Sequence, residues 1–183
     1  MALILSSTPV ALWHDIIAEA EHACEAHLEA RLKEYVVLML LRYLNQPELV
    51  RITLAERYLD SMNLSRKNQA LAYQHIGDVC LLFAGLFPGI ARRKLVKITY
   101  FIEMGQGAYS TVSRAQSDVY AALAEQFVLL MDVLQSTRVY SYDYPDLYPL
   151  EAYELWQEVG SKRALNVLKK HSQFTRTNPI CPK

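Results

Sequence analysis

Apolar side chains recur along this chain at the spacing of an α-helix, and no segment keeps up the period-two alternation of a half-buried strand. Ser7-Thr8-Pro9 reads as a helix start, with hydroxyl caps followed by a proline in the first turn. Trp13, Ile17, Ala20, Cys24, Leu28, Leu32, Tyr35, Met39 and Tyr43 follow at helical spacing. They predict one long helix, or two stacked pieces, running to Leu44. Its first half is amphipathic, whereas residues 35–44 are apolar nearly all round, as in a central buried helix. Asn45-Gln46-Pro47 closes that element and opens a helix carrying Val50, Leu54, Tyr58 and Leu59 as far as Met62.

Asn63-Leu64-Ser65 is a turn with a serine cap, and residues 66–87 form the next long helical segment. Pro88-Gly89 stops it, and Arg92, Arg93 and Lys94 follow. A helix resumes over 97–104, where Gly105 and Gly107 are expected to interrupt or kink it. Val112, Ala115, Val119, Leu123, Phe127, Leu130 and Leu134 then predict a long helix to Arg138, with Ser117-Asp118 as a possible new cap inside it. Residues 139–149 hold two prolines and four tyrosines, which favour extended chain lying on the body. A short helix over 150–159 stops at Gly160, and Ser161 caps a last helix to His171.

The predicted fold is therefore all-α: a single-domain bundle of about six or seven helices. Its core spans roughly 7–138, followed by the tyrosine-rich loop 139–149, the C-terminal helices 150–171 and a loose tail 172–183. Two central helices, 35–44 and 66–87, are expected to pack on a 98–138 helix, with the C-terminal pair strapped on through the loop.

Composition narrows the function. Lys plus Arg and Asp plus Glu both total 19, so the net charge is zero and a nucleic-acid partner is not expected. The charges are nevertheless segregated. Residues 15–34 carry six acids and two bases, and residues 162–183 carry six bases and no acid. The basic end reads as a solvated helix face, with an anionic surface as the sharper alternative. Cys24, Cys80 and Cys181 have no paired spacing, which points to a reducing, cytoplasmic setting. The longest uncharged stretch of the apolar centre, 79–91, has 13 residues and contains Pro88, too short for a membrane span of about 20. The N-terminus lacks the basic start of a signal peptide.

Five of the six glycines fall between residues 77 and 107: Gly77, Gly85, Gly89, Gly105 and Gly107. Each glycine inside a helix costs about 0.5–1 kcal/mol relative to alanine, so the cluster implies close backbone approach or a pocket. Ala70, Gly77 and Ala84 share one helical stripe suited to a tight crossing, with Gly105–Gly107–Ala108 as the expected partner patch. Asp78 and Arg42 are ionisable residues set in apolar helices. Buried charges need partners, so Asp78 is expected to meet Arg42 or a tyrosine hydroxyl. His75 lies three residues before Asp78, and Glu103 sits in the apolar run before Gly105. Those three residues form a candidate metal or catalytic set.

Other candidates are weaker. Glu19-Ala-Glu-His22 is a single carboxylate–histidine spacing without a second copy, and His22, Cys24 and His27 scatter around a helix axis. No nucleophile elbow, phosphate loop or dinucleotide fingerprint is present, and no cofactor is implied. Tyr140, Tyr142, Tyr144, Tyr148 and Tyr153, with Trp156, are interface candidates because amphipathic rings serve contact surfaces well.

The run Gly77-Asp-Val-Cys-Leu-Leu-Phe-Ala-Gly-Leu-Phe-Pro, with Tyr100-Phe-Ile-Glu-Met-Gly-Gln-Gly-Ala-Tyr, resembles a pattern in uncharacterised bacterial helical proteins. They share a Gly-Asp…Leu-Phe-x-Gly-x-Phe-Pro…Met-Gly-x-x-Ala-Tyr core. The resemblance covers about thirty residues and carries no activity. It implies only that the glycine-rich centre is a shared device. The expected function is a non-catalytic binding or interaction module for a protein partner, a second copy or a small apolar ligand. The alternative is a helix-bundle metal-dependent enzyme using His75, Asp78 and Glu103.

Overall fold

A computed structural model describes residues 8–43, 46, 53–114, 118–138 and 147–177, with no strand among them. Ten helices follow in order: α1 (Pro9–Ala23), α2 (Ala30–Tyr43), α3 (Leu54–Ser61), α4 (Arg66–Gly85), α5 (Gly89–Arg93), α6 (Ile98–Ser113), α7 (Asp118–Glu125), α8 (Phe127–Thr137), α9 (Pro149–Val159) and α10 (Lys162–Thr177). The all-α class is as the periodicity predicts, with more and shorter helices. The long first segment is two pieces. Thr8 caps the start, its Oγ1 accepting from the Ala11 amide at 3.3 Å ahead of Pro9. Buried Glu21 then reaches across the break and accepts from the Leu28 amide at 2.7 Å. The expected start of the third helix, with Val50, lies outside the described residues.

Helix α4 is the centre. It packs most extensively on α6, then on α8 and α3, while α1 lies on α8, and α2 bridges α1 and α7. From Ile76 to Gly85 every residue of α4 is buried. The C-terminal pair α9–α10 packs on itself, on α8 and on α6. No single described helix is long and apolar enough to cross a membrane. Helices α7 and α8 pass that test only as a pair bent by 69°, and most of α8 is core.

Two expectations about the centre are corrected. Helix α6 runs unbroken through Gly105 and Gly107, so the glycines do not interrupt it. The supposed 98–138 helix is three helices, with α7 and α8 separated at Gln126, whose backbone (φ −96°, ψ 16°) departs from the helix. That corner places the Phe127 ring against Gly105. A Cβ built there would lie 2.4 Å from the ring and 2.9 Å from Cys80 Cβ. At Gly77 a Cβ would lie 2.5 Å from the Tyr109 ring. The α4–α6 crossing is thus not glycine against glycine. Each of these two glycines seats an aromatic ring from a neighbouring helix. Gly85 faces Leu134, and Gly107 meets nothing within 4 Å.

The glycines therefore separate by substitution. Gly77→Ala forces Tyr109 off its seat and is expected to lower unfolding stability by about 1–3 kcal/mol. Gly107→Ala meets open space and is expected to raise it by about 0.5–1 kcal/mol. Urea unfolding of both variants checks this, and equal effects would contradict the contact at Gly77.

Candidate functional site

Asp78 sits in the most apolar stretch of α4 and is 0% exposed. A carboxylate there is tolerated only if its oxygens are filled by donors. Four residues fill them. Oδ1 accepts from the Tyr35 hydroxyl at 2.7 Å and from the Tyr109 hydroxyl at 2.8 Å. Oδ2 accepts from the Tyr43 hydroxyl and from Arg42 Nη1, each at 3.3 Å. The expected pairing of Asp78 with Arg42 or a tyrosine hydroxyl is therefore met on both counts. The arginine is a surface lid, its side chain 49% exposed.

Each donor arrives from a position set by the fold. Tyr35 and Tyr43 lie eight residues apart on α2, two turns along one face. Tyr109 comes from α6 over Gly77, where the missing side chain admits its ring. Edge contacts lock the rings: Tyr35 meets Tyr109 at 6.4 Å and Tyr120 at 5.9 Å between centroids. Gln74 Nε2 donates to the Tyr35 oxygen at 3.4 Å.

Burial is the strongest influence on Asp78 and raises its carboxyl above the usual range. Hydrogen bonds from Tyr35 and Tyr109, then the Arg42 charge and Tyr43, pull it back. The same burial, then the adjacent carboxylate, pushes the Tyr35, Tyr43 and Tyr109 phenols upward, so all three stay protonated as donors.

His75 joins this network from its edge. Its Nδ1 lies 2.8 Å from the Tyr43 hydroxyl, and the two rings stand 5.6 Å apart. Its Nε2 is buried without a hydrogen-bond partner. Glu103 is exposed on α6 and takes no part. The structure thus unites His75, Asp78 and Arg42 through Tyr43 and leaves Glu103 out. Among the described residues no group of three His, Cys, Asp or Glu side chains converges as ligands. His22 and His27 are exposed while Cys24 is buried, so that trio is also dispersed.

A second buried carboxylate, Asp132 on α8, was not singled out from the sequence. Its Oδ1 accepts from the Ser161 hydroxyl at 2.6 Å, and its Oδ2 accepts from the Lys162 amide at 2.9 Å and the Arg163 amide at 3.3 Å. It caps α10 from another helix, alongside the Ser161 Oγ that accepts from the Ala164 amide at 3.0 Å. Its signal in the sequence is the one that marked Asp78: a lone acid in an apolar helix.

Of the interface candidates, Tyr140, Tyr142 and Tyr144 lie outside the described residues. Tyr148, Tyr153 and Trp156 are exposed, with Tyr153 and Trp156 edge to edge at 6.2 Å. Arg92 stacks 4.3 Å over the Tyr148 ring and holds both Glu151 oxygens at 2.9 Å, tying α9 to α5. Comparison with family models, with curated proteins and with solved structures gave no match to this chain.

Asp78→Asn replaces an acceptor by an amide facing four donors and is expected to lower stability by about 1–3 kcal/mol in chemical denaturation. Unchanged unfolding would contradict the network. A separate pH dependence comes from His75. Burial, then the charges of Arg57 and Arg42, depress its imidazole below the ordinary 6.5. The folded chain therefore holds that proton less tightly than the unfolded one. The stability that neutral His75 contributes is complete above pH 6.5 and is lost as pH falls below it. His75→Gln is expected to flatten stability between about pH 7.5 and about pH 5.5 relative to wild type.

Proposed function

We propose that the protein is a non-catalytic interaction module that associates with further copies of itself. The observation that carries this reading is a pair of exposed regions of opposite character. On α9, Leu150, Tyr153 and Trp156 are exposed, beside Lys162, Lys169 and Lys170 on α10. At the other end of the chain, Val10 and Leu12 on α1 and Leu38 on α2 are exposed among Asp15, Glu19, Glu25, Glu29 and Glu34. The C-terminal helices expose rings and lysines, and the first two helices with their connection expose aliphatic groups and carboxylates. Tyrosine and tryptophan supply most of the energy of many interfaces, and opposite charge speeds and orients encounter. Because the two regions differ, an association that joins them is head-to-tail.

Asp78 supports the non-catalytic part. Both of its oxygens are engaged by side chains of its own chain, so the carboxylate central to a metal-dependent enzyme has no lone pair turned toward a substrate or ion. A reducing, cytoplasmic setting of the kind the sequence implies agrees with buried, free Cys24 and Cys80.

Sedimentation equilibrium over a range of protein and salt concentrations tests the association. Low salt is expected to favour it, because the acid–base part of the contact is screened as salt rises. Trp156→Ala with Tyr153→Ala is expected to leave monomers. A wild-type chain that is monomeric throughout would overturn the reading. If that monomer were retained on an anionic resin, the basic face would belong to an anionic partner.

A further inference from the structure

Leu95 is 93% exposed, more than any other large apolar side chain among the described residues. It also holds a left-handed backbone, at φ 55°. Both follow from how α5 ends. The Val96 amide donates to the Ala91 carbonyl at 3.0 Å, and the Leu95 amide donates to the Arg92 carbonyl at 3.2 Å. Glycine usually completes this closing turn, since a Cβ is disfavoured at the left-handed position. Helix α9 ends on Gly160 in that conformation, at φ 70°. Among the described residues only Glu25 and Leu95 adopt it without being glycine. Glu25 is exposed and carries a charge that water solvates. Leu95 gains neither backbone ease nor burial, so folding alone gives no reason for a leucine there.

Both sides of the turn are fastened to α9. Arg92 holds both Glu151 oxygens at 2.9 Å, and Lys97 reaches Glu158 at 3.0 Å and Glu154 at 3.4 Å. The leucine is thus held out on a braced turn, which lowers the ordering cost of a contact. The ion pairs also bear on what covers it. Three glutamates answer two of the turn's cations, so the concentrated positive charge that draws a chain to an anionic bilayer is lacking. Arg93, exposed two residues before Leu95, adds one cation to the apolar tip.

A complementary seat offers an aliphatic group beside carboxylates. On α1, Leu12, Asp15 and Glu19 stand at i, i+3 and i+7, share one stripe and are all exposed. Helix α9 is about 10–12 Å wide with its side chains, and a standard interface covers about 800 Å² of each partner. A contact on Leu150, Tyr153 and Trp156 therefore has the reach to include the α5–α6 turn. We infer that Leu95 anchors the head-to-tail contact by seating on the α1 stripe of a second copy, with Arg93 against Asp15 and Glu19. This rests on the self-association reading and names its docking point on each copy.

Leu95→Gly separates anchoring from folding. It relieves the backbone and is expected to raise the thermal midpoint by about 2–4 °C. In sedimentation equilibrium the same variant is expected to associate at least about tenfold more weakly than wild type. Arg93→Glu and Glu19→Arg are each expected to weaken association, and together to restore it to within about threefold of wild type. If wild type associates and Leu95→Gly associates equally, this inference is overturned and self-association stands. A double variant no tighter than its singles has the same meaning. A thermal midpoint that falls in Leu95→Gly would show that the leucine serves the fold and would overturn the anchor. A wild type that is monomeric throughout overturns both readings. If wild type binds phosphatidylglycerol vesicles and Leu95→Gly does not, the occupant is a bilayer and the second-copy seat is overturned.

Discussion

A fully buried carboxylate organises this fold. Asp78 stands in the apolar stretch of α4 and can be ionised there only while donors surround it. Those donors come from two other helices, α2 and α6. Satisfying one side chain therefore fixes the positions of three helices relative to one another. Hydrophobic burial supplies the bulk of the driving force for collapse, but it is non-directional. The phenol–carboxylate bonds add direction: those from Tyr35 and Tyr109 are short, at 2.7 and 2.8 Å, and each is lost if its helix rotates by one residue.

The glycine-rich centre serves the same end. Gly77 has no side chain because the Tyr109 ring occupies that volume, and the ring must lie there for its hydroxyl to reach Asp78. Gly105 makes the corresponding room for Phe127, which follows the bend between α7 and α8. Tyr109 and Phe127 are themselves in contact, 6.1 Å between centroids. Two glycines on two helices thus admit one continuous aromatic layer. Asp132 performs a comparable task at the middle of α8, where it holds the first turn of α10 by two amides and a hydroxyl.

Helix content, the break at Pro88-Gly89 and the burial of the residue 76–85 region were legible because they depend on local spacing and local stops. So was the need of Asp78 for a partner, since the cost of a buried charge does not depend on the fold. Which tyrosines answer that need was not legible. Tyr35, Tyr43 and Tyr109 lie 43, 35 and 31 residues from Asp78, and only the packing of α6 on α4 and the reach of the α2 side chains make them neighbours. Gly105 and Gly107 misled for a related reason. A glycine reads as a break when seen along one helix and as a cavity for a ring when seen against the next. The bend at Gln126 carries neither proline nor glycine, so nothing in the local sequence announced it. Glu103 resembled Asp78 as an acid in an apolar run, but its helix position turned it to solvent.

Tyr109 and Gly77 also constrain how this sequence can drift. A side chain at position 77 requires a smaller one at 109, and a smaller one at 109 removes a donor from Asp78, which would then favour an uncharged residue. The three positions can change without loss only as a set. Among descendants of a common ancestor they should therefore vary together, and a lineage that has lost the acid at 78 should be free of the glycine before it.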